Sequence, residues 1–141
     1  MSKFNIRVYG IWIKSNKILL SHENIDGYEM TKFPGGGLEY GEGALECLKR
    51  EFMEELGVKI SQTKLINVSE KYIQSAFNEN EQVLAVHYLI ESDDEIKNYK
   101  IIQNTRVGKF NQHLFKWHEL SPTIMNILTF GMDKEAFCKL Q

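Results

Sequence analysis

The stretch from Gly35 to Val58 constrains the fold more than any other part of the chain. It reads GGGLEYGEGALECLKREFMEELGV and opens with three glycines directly after Phe33-Pro34, a pair typical of a strand end. Glycines there permit backbone conformations or close approaches that a side chain would block. A second glycine turn, Gly41 to Gly43, precedes a segment with helical periodicity. The pattern predicts a strand, a glycine loop and a helix in succession.

The apolar positions of this helix predict how it packs. At about 100° per residue, one narrow face collects Leu45, Leu48, Phe52 and Leu56. A stripe of this kind suits packing against a sheet. Gly57 follows directly and is a natural C-terminal cap. We therefore expect the helix to end at Gly57 with this face buried.

The acidic positions of the helix have two interpretations. Glu51 and Glu55 are one turn apart, so their side chains lie side by side, and Glu54 borders the same patch. Three glutamates on a helix usually form a solvated face. They can instead bind a hard divalent cation, because oxygen ligands suit Mg²⁺ or Mn²⁺ better than zinc. The adjacent glycine turn favours the cation site, since it can offer a carbonyl to a metal and amides to a phosphate.

The spacing of these residues matches a known signature. Gly36, five residues, Glu42, seven residues and then Arg50 to Val58 (REFMEELGV) fit the Nudix box, G-x5-E-x7-R-E-U-x-E-E-x-G-U, at every specified position. The sequence resembles the Nudix hydrolases. The resemblance implies an α/β class fold, an α/β/α sandwich with a mixed sheet and the box as loop–helix–loop, in one domain over residues 1–141. It also implies a pyrophosphohydrolase, in which a metal-activated water cleaves a nucleoside triphosphate or small nucleotide conjugate.

The resemblance also assigns roles within the box. The implied catalytic and metal-binding residues are Glu51, Glu54 and Glu55, with the Gly35 carbonyl as a further ligand, for Mg²⁺ or alternatively Mn²⁺. The implied structural residues are Gly36, Glu42, Arg50 and Gly57. Among them, Glu42 and Arg50 are expected to brace the loop against the helix through an ion pair.

One departure from the family pattern leaves the general base open. Many members carry an acidic residue in a loop before the final tryptophan-containing strand, but the stretch from Ile96 to His118 contains no Asp or Glu. Asn111 and Gln112 accept hydrogen bonds there but cannot remove a proton at neutral pH. The base is then a box glutamate, Glu79 or Glu81 from an earlier loop, or water held by metals alone. The alternative function, a non-catalytic Nudix-fold module that senses nucleotides, therefore stays open. An isomerase or RNA-decapping variant is a third hypothesis, although the chain is short for either.

Substrate-binding residues are not identified by the sequence. The markers of ADP-ribose, diadenosine polyphosphate, coenzyme A and NADH hydrolases are missing outside the box. Several aromatic and basic side chains suit a nucleotide, but the aromatic ones are more often part of the core and the basic ones more often part of the surface. They are Tyr28, Phe33, Tyr72, Phe77, Trp117, Arg7, Lys32, Lys71, Arg106 and Lys109.

Length, composition and net charge limit the class of protein to which the chain can belong. With 141 residues, 43% apolar and 26% charged, the chain is expected to form one soluble domain. The formal charge of −2 and the absence of a basic block give no argument for nucleic-acid or membrane partners, and the resemblance implies a small nucleotide-type substrate. No apolar run reaches the ~18 residues of a membrane span and no signal peptide is evident, so a cytoplasmic protein is expected. Cys47 and Cys138 lack metal-site spacing, and Cys47 is expected to be an inert packed thiol.

The flanking segments predict a sheet. Strands are expected at Phe4–Ile13, Lys17–Ser21, Lys64–Ile73, Val83–Ile90 and His113–Trp117, and loops at His22–Gly27, Phe77–Gln82 and, as a mobile one, Gln103–Gln112. A helix is expected from Ser121-Pro122 to Phe130, with Asp133 capping a final short helix.

The strand Val83–Ile90 is the most apolar, which predicts a central strand buried on both faces, with His87 as a hydrogen-bonded structural residue. Family members often form dimers, so a homodimer is also allowed. This strand would serve such an interface only at a sheet edge.

Overall fold

The described part of the chain, residues 1–104 and 110–140 of a computed structural model, contains eight strands and three helices, with side chains described outside residues 101–111. The strands are β1 (Lys3–Lys14), β2 (Lys17–Ile25), β3 (Tyr28–Lys32), β4 (Gly35–Gly37), β5 (Gln62–Val68), β6 (Glu81–Glu91), β7 (Lys100–Asn104) and β8 (Phe110–Glu119). The helices are α1 (Ala44–Leu56), α2 (Ile124–Ile127) and α3 (Gly131–Cys138).

The sheet divides into two halves that diverge from one hairpin. Its order is β5-β6-β1-β2-β8-β7, with β3 added to β2 and β4 added to β1. Strand β1 runs parallel to β6, while the other pairs are antiparallel, which confirms the mixed sheet. Strands β1 and β2 pair only at Ile13↔Ile18 and Lys14↔Lys17. Beyond that point β1 pairs with β4 and β6, and β2 with β3 and β8, so a wedge opens between the two halves.

Helices cover both faces of the sheet. Because strand side chains alternate between faces, Val8 and Trp12 pack with α1, while Tyr9 and Ile11 pack on the side of α2 and α3. Each of these side chains is at most 2% exposed. Full burial of a large apolar side chain contributes about 1.5–3 kcal/mol. The two cores give the three-layer α/β/α arrangement.

Helix α1 ends where the sequence predicts but is rotated from the predicted face. Gly57 adopts the left-handed conformation with φ 69°, and its N–H donates to the Met53 carbonyl at 3.0 Å. The buried positions are Cys47, Leu48, Phe52 and Leu56. Leu45 is 38% exposed, so its assignment to the buried stripe was wrong. Cys47 takes that place because its thiol packs against the carbonyls of the glycine strand β4.

Two strand boundaries differ from the prediction. The predicted loop His22–Gly27 is wrong over its first part, since β2 continues to Ile25. Strands β3 and β8 flank this segment, and their backbone hydrogen bonds extend it despite its polar sequence. The turn is confined to Asp26-Gly27, where φ is 52° and 89°. Strand β5 ends at Val68 instead of Ile73.

Strand β7 was missed by the sequence prediction. The predicted loop Gln103–Gln112 begins inside β7 and ends inside β8, because residues 103–104 and 110–112 pair in one antiparallel ladder. Arg106, Gly108 and Lys109, also assigned to that loop, lie outside the described residues.

The C-terminal helix prediction was also partly wrong. Helix α2 covers only Ile124–Ile127, with Thr123 and not Ser121 at its N-cap position. Asp133 does not cap α3. It lies within the first turn, and its carboxylate accepts a 2.7 Å hydrogen bond from His87 Nε2 inside the core.

Strand β6 is interior, and its centre is buried as predicted. Ala85, Val86 and His87 are at most 9% exposed, whereas Leu84 is 39% exposed near the open end of the wedge. The structural role predicted for His87 is confirmed by its bond to Asp133. Because β6 lies between β5 and β1, it is not at a sheet edge, and a homodimer stays a prediction without this interface.

Candidate active site

The glycine strand allows helix α1 to approach the sheet closely. Gly35, Gly36 and Gly37 pair with β1. A Cβ atom at Gly35 would lie 2.7 Å from the Tyr9 Cα atom, and one at Gly36 would lie 2.6 Å from Glu51 Oε2. Real Cβ atoms do not tolerate such distances. Gly36 therefore leaves the space in which the Glu51 carboxylate lies against β4, and Gly35 allows β4 to approach β1 at Tyr9.

Glu51 and Glu55 form a half-buried pair of carboxylates. Their side chains are 16% and 19% exposed. Glu51 Oε1 accepts a 2.9 Å hydrogen bond from Arg50 Nη1. Burial raises the pKa of Glu51, and the neighbouring charge of Glu55 raises it further. A divalent cation would neutralise this crowded negative charge, and an oxygen-only donor set fits Mg²⁺ or Mn²⁺.

Glu54 is more exposed than this pair and shares Arg50 with Glu51. Its side chain is 58% exposed, and its Oε2 lies 3.3 Å from the same Arg50 Nη1 atom that donates to Glu51. Among residues 1–104 and 110–140, no three His, Cys, Asp or Glu side chains already lie at metal-ligand spacing. The role of Glu54 as a ligand, like that of the Gly35 carbonyl, stays a prediction.

Arg50 connects the loop to the helix. Its Nη2 lies 2.6 Å from Glu42 Oε1 and its Nε lies 3.0 Å from Glu42 Oε2, which is the bidentate geometry of a strong pair. Nη2 also donates to the Gly37 carbonyl at 3.1 Å. The hydrogen bonds from Arg50 lower the pKa of Glu42 to about 2. The ion pair that the sequence predicted is present, and it joins the loop, β4 and α1.

Cys47 lies beneath this network and has the surroundings of an unreactive thiol. It is fully buried, and its Sγ lies 3.5 Å from the Gly37 carbonyl. Burial raises the pKa of Cys47 to about 12. The thiol therefore stays protonated at neutral pH, and the thiolate is the reactive form of cysteine.

A cavity of about 710 Å³ occupies the wedge between the two halves of the sheet. Glu51, Glu55 and Gly35–Gly37 bound one end. Apolar side chains contribute much of the remaining wall: Ile25, Met30, Ile73, Phe77, Val83, Phe130 and Met132. Pockets of roughly 300–1,000 Å³ accommodate small-molecule ligands. The carboxylate pair therefore faces a space large enough for an organic substrate.

Three of the side chains considered for nucleotide contact line this cavity: Arg7, Lys32 and Phe77. The Phe77 ring lies 5.6 Å from the Tyr28 ring, centre to centre. The other described members of that set lie elsewhere. Phe33 is buried in the core, Trp117 packs on Trp12, and Lys71 and Tyr72 are exposed.

Arg7 supplies a positive charge next to the carboxylates. Its Nε donates to the Tyr9 hydroxyl at 3.0 Å, and it lies opposite Gly37 across the β1–β4 ladder. Burial by itself would lower its pKa, but Tyr9 and the nearby carboxylates of Glu23 and Glu51 keep the pKa of Arg7 above its ordinary value. The guanidinium group therefore remains charged at the wall of the cavity.

Sequence reasoning missed His113. On β8, its Nδ1 lies 3.2 Å from Glu55 Oε2. The residues that contact it come from separate elements, so no local sequence signal indicates the cluster. Of the two earlier-loop acids considered as general base, Glu81 lines the cavity but binds Asn5 at 2.7 Å. Glu79 is exposed. The identity of the base stays a prediction.

The family follows from a comparison that spans most of the chain. A model of the NUDIX domain matches residues 3–127. The chain belongs to the Nudix hydrolase family. Among solved structures, the E. coli ORF135 protein superimposes with a TM-score of 0.72 at 16% identity, covering 98% of this chain and 89% of that one. The MutT NUDIX hydrolase of Burkholderia pseudomallei gives 0.70 at 17% identity, covering 99% and 100%. These structures confirm the α/β Nudix fold.

Two curated relatives match over shorter segments. One is an 8-oxo-dGTP diphosphatase of Buchnera aphidicola, 40% identical over 60 residues, which cover 41% of this chain and 46% of that protein. The other is an RNA pyrophosphohydrolase of Bartonella clarridgeiae, 28% identical over 67 residues, which cover 48% and 38%. The chain therefore matches less than half the length of either relative. In the described residues, no helix is long and apolar enough to cross a membrane.

Proposed function

We propose that this protein is a Mg²⁺-dependent pyrophosphohydrolase that cleaves a diphosphate linkage in a nucleoside triphosphate or a small nucleotide conjugate. The observation that carries the proposal is the placement of the Glu51–Glu55 pair at the wall of a 710 Å³ cavity whose lining also includes the Arg7 guanidinium and apolar side chains such as Phe77. A nucleotide has the matching division, with a charged phosphate chain at one end and a flat base at the other.

The two ends of the cavity suit the two parts of such a substrate. At the carboxylate end, Glu51 and Glu55, with Glu54, would hold the cation. When bound, the cation neutralises phosphate charge and lowers the pKa of water. Arg7 at the same end presents guanidinium N–H groups, which match phosphate oxygens. At the far end, Phe77 and its apolar neighbours offer a surface on which a base can pack.

The named activities of the two curated relatives support the same chemistry. Both names describe the hydrolysis of a phosphoanhydride, one in a free nucleotide and one in RNA. The net charge of −2 favours the small substrate over the polymer. A cytoplasmic location is part of the proposal, since cytoplasm holds the nucleotides concerned.

The test is a release assay with Mg²⁺ that resolves the mono- and diphosphate products by anion-exchange chromatography, on nucleoside triphosphates, sugar nucleotides, dinucleotides and a 5′-triphosphorylated RNA. The inactivated variants are Glu54→Gln and Glu55→Gln. The matched control is Glu46→Gln, because Glu46 lies on the same helix but binds the Gly43 N–H at 2.9 Å. Turnover that the first two variants lose and the control keeps supports the proposal. No turnover of any compound, with cation-dependent nucleotide binding intact, would refute it in favour of a sensing module.

A further inference from the structure

A histidine on β8 is held between two carboxylates that come from different elements. His113 Nδ1 lies 3.2 Å from Glu55 Oε2 on α1, and His113 Nε2 lies 3.3 Å from Glu23 Oε1 on β2. The three side chains are 14–19% exposed. The Nε2 atom also contacts the Ser21 hydroxyl, which is fully buried. The ring is therefore fixed at both nitrogens.

The position of this ring is set by the strand ladder. His113 pairs directly with Glu23 across β2 and β8, so both side chains project from the same face of the sheet, toward α1. Phe115, two residues later on that face, is in the core beneath α1, and its ring centre lies 4.3 Å from the imidazole. The packing leaves His113 little freedom to turn away from Glu55.

A lysine offsets the negative charge of Glu23, the carboxylate of this cluster that lies on β2. Lys32 Nζ on β3 lies 3.1 Å from Glu23 Oε1, and both side chains are at most 14% exposed. Glu23 is thus paired with Lys32, and His113 Nδ1 contacts Glu55 Oε2 at 3.2 Å. His113 therefore holds the Oε2 atom of Glu55, whose side chain also lines the cavity.

We propose that His113 is a positioning residue that holds the Glu55 carboxylate toward the cavity and so preorganises the divalent-cation site. The inference rests on the proposed function, because Glu55 is a cation ligand only in that proposal. Groups that hydrogen-bond a metal-binding carboxylate fix its orientation, and their loss typically weakens metal affinity about 10- to 100-fold. The role belongs to the 3.2 Å contact between His113 Nδ1 and Glu55 Oε2.

The two nitrogens of His113 can be tested separately. In His113→Asn, the amide N–H₂ replaces Nδ1 and can still reach Glu55, whereas the contact with Ser21 is lost. In His113→Gln, the longer side chain replaces Nε2 and keeps the contact with Ser21, whereas the contact with Glu55 is lost. His118→Gln is the control, since His118 lies on the same strand but on the opposite face and contacts His22.

The experiment measures Mn²⁺ affinity of each purified protein by electron paramagnetic resonance without substrate. We expect His113→Gln to bind Mn²⁺ at least about 10-fold more weakly than the wild type, and His113→Asn and His118→Gln to stay within about threefold. Thermal unfolding identifies any variant that fails to fold. If one His113 variant does not fold, the other is compared with the wild type and with His118→Gln. Wild-type affinity in His113→Gln, or weaker binding in His113→Asn than in His113→Gln, would overturn the inference. Absence of Mn²⁺ binding by the wild type would instead refute the proposed cation site itself.

Discussion

The Glu51 carboxylate occupies the space that a side chain at Gly36 would need. A Cβ atom there would lie 2.6 Å from Glu51 Oε2, and the Glu51 side chain is held in place by Arg50. The glycine of the signature is thus explained by the position of the glutamate. The two residues act as one unit, which makes their substitution effects non-additive.

Gly36→Ala is accordingly expected to displace Glu51 and reduce kcat/KM at least about 100-fold, by analogy with the loss of an interaction that fixes a metal ligand. The check is a double-mutant cycle with Glu51→Gln on a substrate identified by the release assay. We expect Gly36→Ala to cost little further activity in the Glu51→Gln background. Additive losses in the double variant would contradict this linkage.

Loss of the ion pair between Arg50 and Glu42 is expected to lower both the activity and the stability in acid. Arg50→Lys keeps the charge but cannot make the bidentate pair, so we expect kcat/KM to fall about 10-fold or more. The pKa of Glu42 is lowered to about 2 in the folded protein, against an ordinary value of 4.5. Between pH 4.5 and about 2, the unfolded chain takes up a proton at Glu42 that the folded protein does not yet bind. The free energy of unfolding therefore falls as the pH drops through this range.

The measurement for this pair is urea unfolding of the wild type, Arg50→Lys and Glu42→Gln between pH 7 and pH 3. The Glu42→Gln variant cannot gain a proton at this site, so its urea midpoint should decline less steeply below pH 4.5 than that of the wild type. Parallel curves for all three proteins would show that the pair does not contribute to acid stability.

Arg7 gives a prediction about substrate binding. Its guanidinium group is fixed by Tyr9 at the carboxylate end of the cavity. Arg7→Met removes the charge with similar bulk and should raise KM about 10-fold, equivalent to about 1.4 kcal/mol of lost phosphate binding. Lys71→Met is the control, because Lys71 is exposed and does not line the cavity. Equal KM values in the two variants would exclude Arg7 from phosphate binding.

The Nudix box made most of α1 predictable because its parts lie within one short segment. Arg50 pairs with Glu42, eight residues earlier, and Gly57 caps the last turn of α1, so local spacing determines the geometry of both contacts. Leu45 was wrongly assigned to the core because periodicity gives the spacing of a stripe but not the rotation of a helix toward its sheet. The close approach of the glycine strand determines that rotation, and it favours Cys47.

The His113 cluster was unpredictable for the opposite reason. Ser21, Glu55 and His113 come together only through the β2–β8 register and the packing of α1, which no local pattern encodes. Strand β2 was predicted too short for a related reason. Its polar end, from His22 onward, is a strand because β3 and β8 pair with it on both sides, and sequence alone does not reveal those neighbours.

The buried pair of His87 and Asp133 predicts a large stability effect. Both side chains are fully buried, and His87 stacks on Tyr9 with ring centres 5.1 Å apart. Asp133→Ala would leave the buried His87 Nε2 without its hydrogen-bond partner and is expected to cost about 1–3 kcal/mol. The double variant His87→Leu/Asp133→Leu should recover part of this loss, because it buries no unpaired polar group. Urea unfolding checks both, and a double variant less stable than Asp133→Ala would contradict the argument.

His22 on β2 and His118 on β8 form a partly exposed pair, which predicts a loss of stability in mild acid. His22 Nε2 lies 2.9 Å from His118 Nε2, and His22 Nδ1 lies 3.0 Å from Thr31 Oγ1. Burial, followed by the nearby His118 and Lys116, lowers the pKa of His22 to about 4 from its ordinary 6.5. The unfolded chain therefore takes up a proton before the folded protein does, and stability falls as the pH drops from 6.5 toward 4.

Solvent screening at this half-exposed site limits the effect of His22 to about 1 kcal/mol between pH 7 and pH 5. His22→Gln removes the titrating ring, so its thermal midpoint should change less over this range than that of the wild type. If His22→Gln keeps the wild-type slope, the acid response originates in another group, because no proton can bind to glutamine at this position.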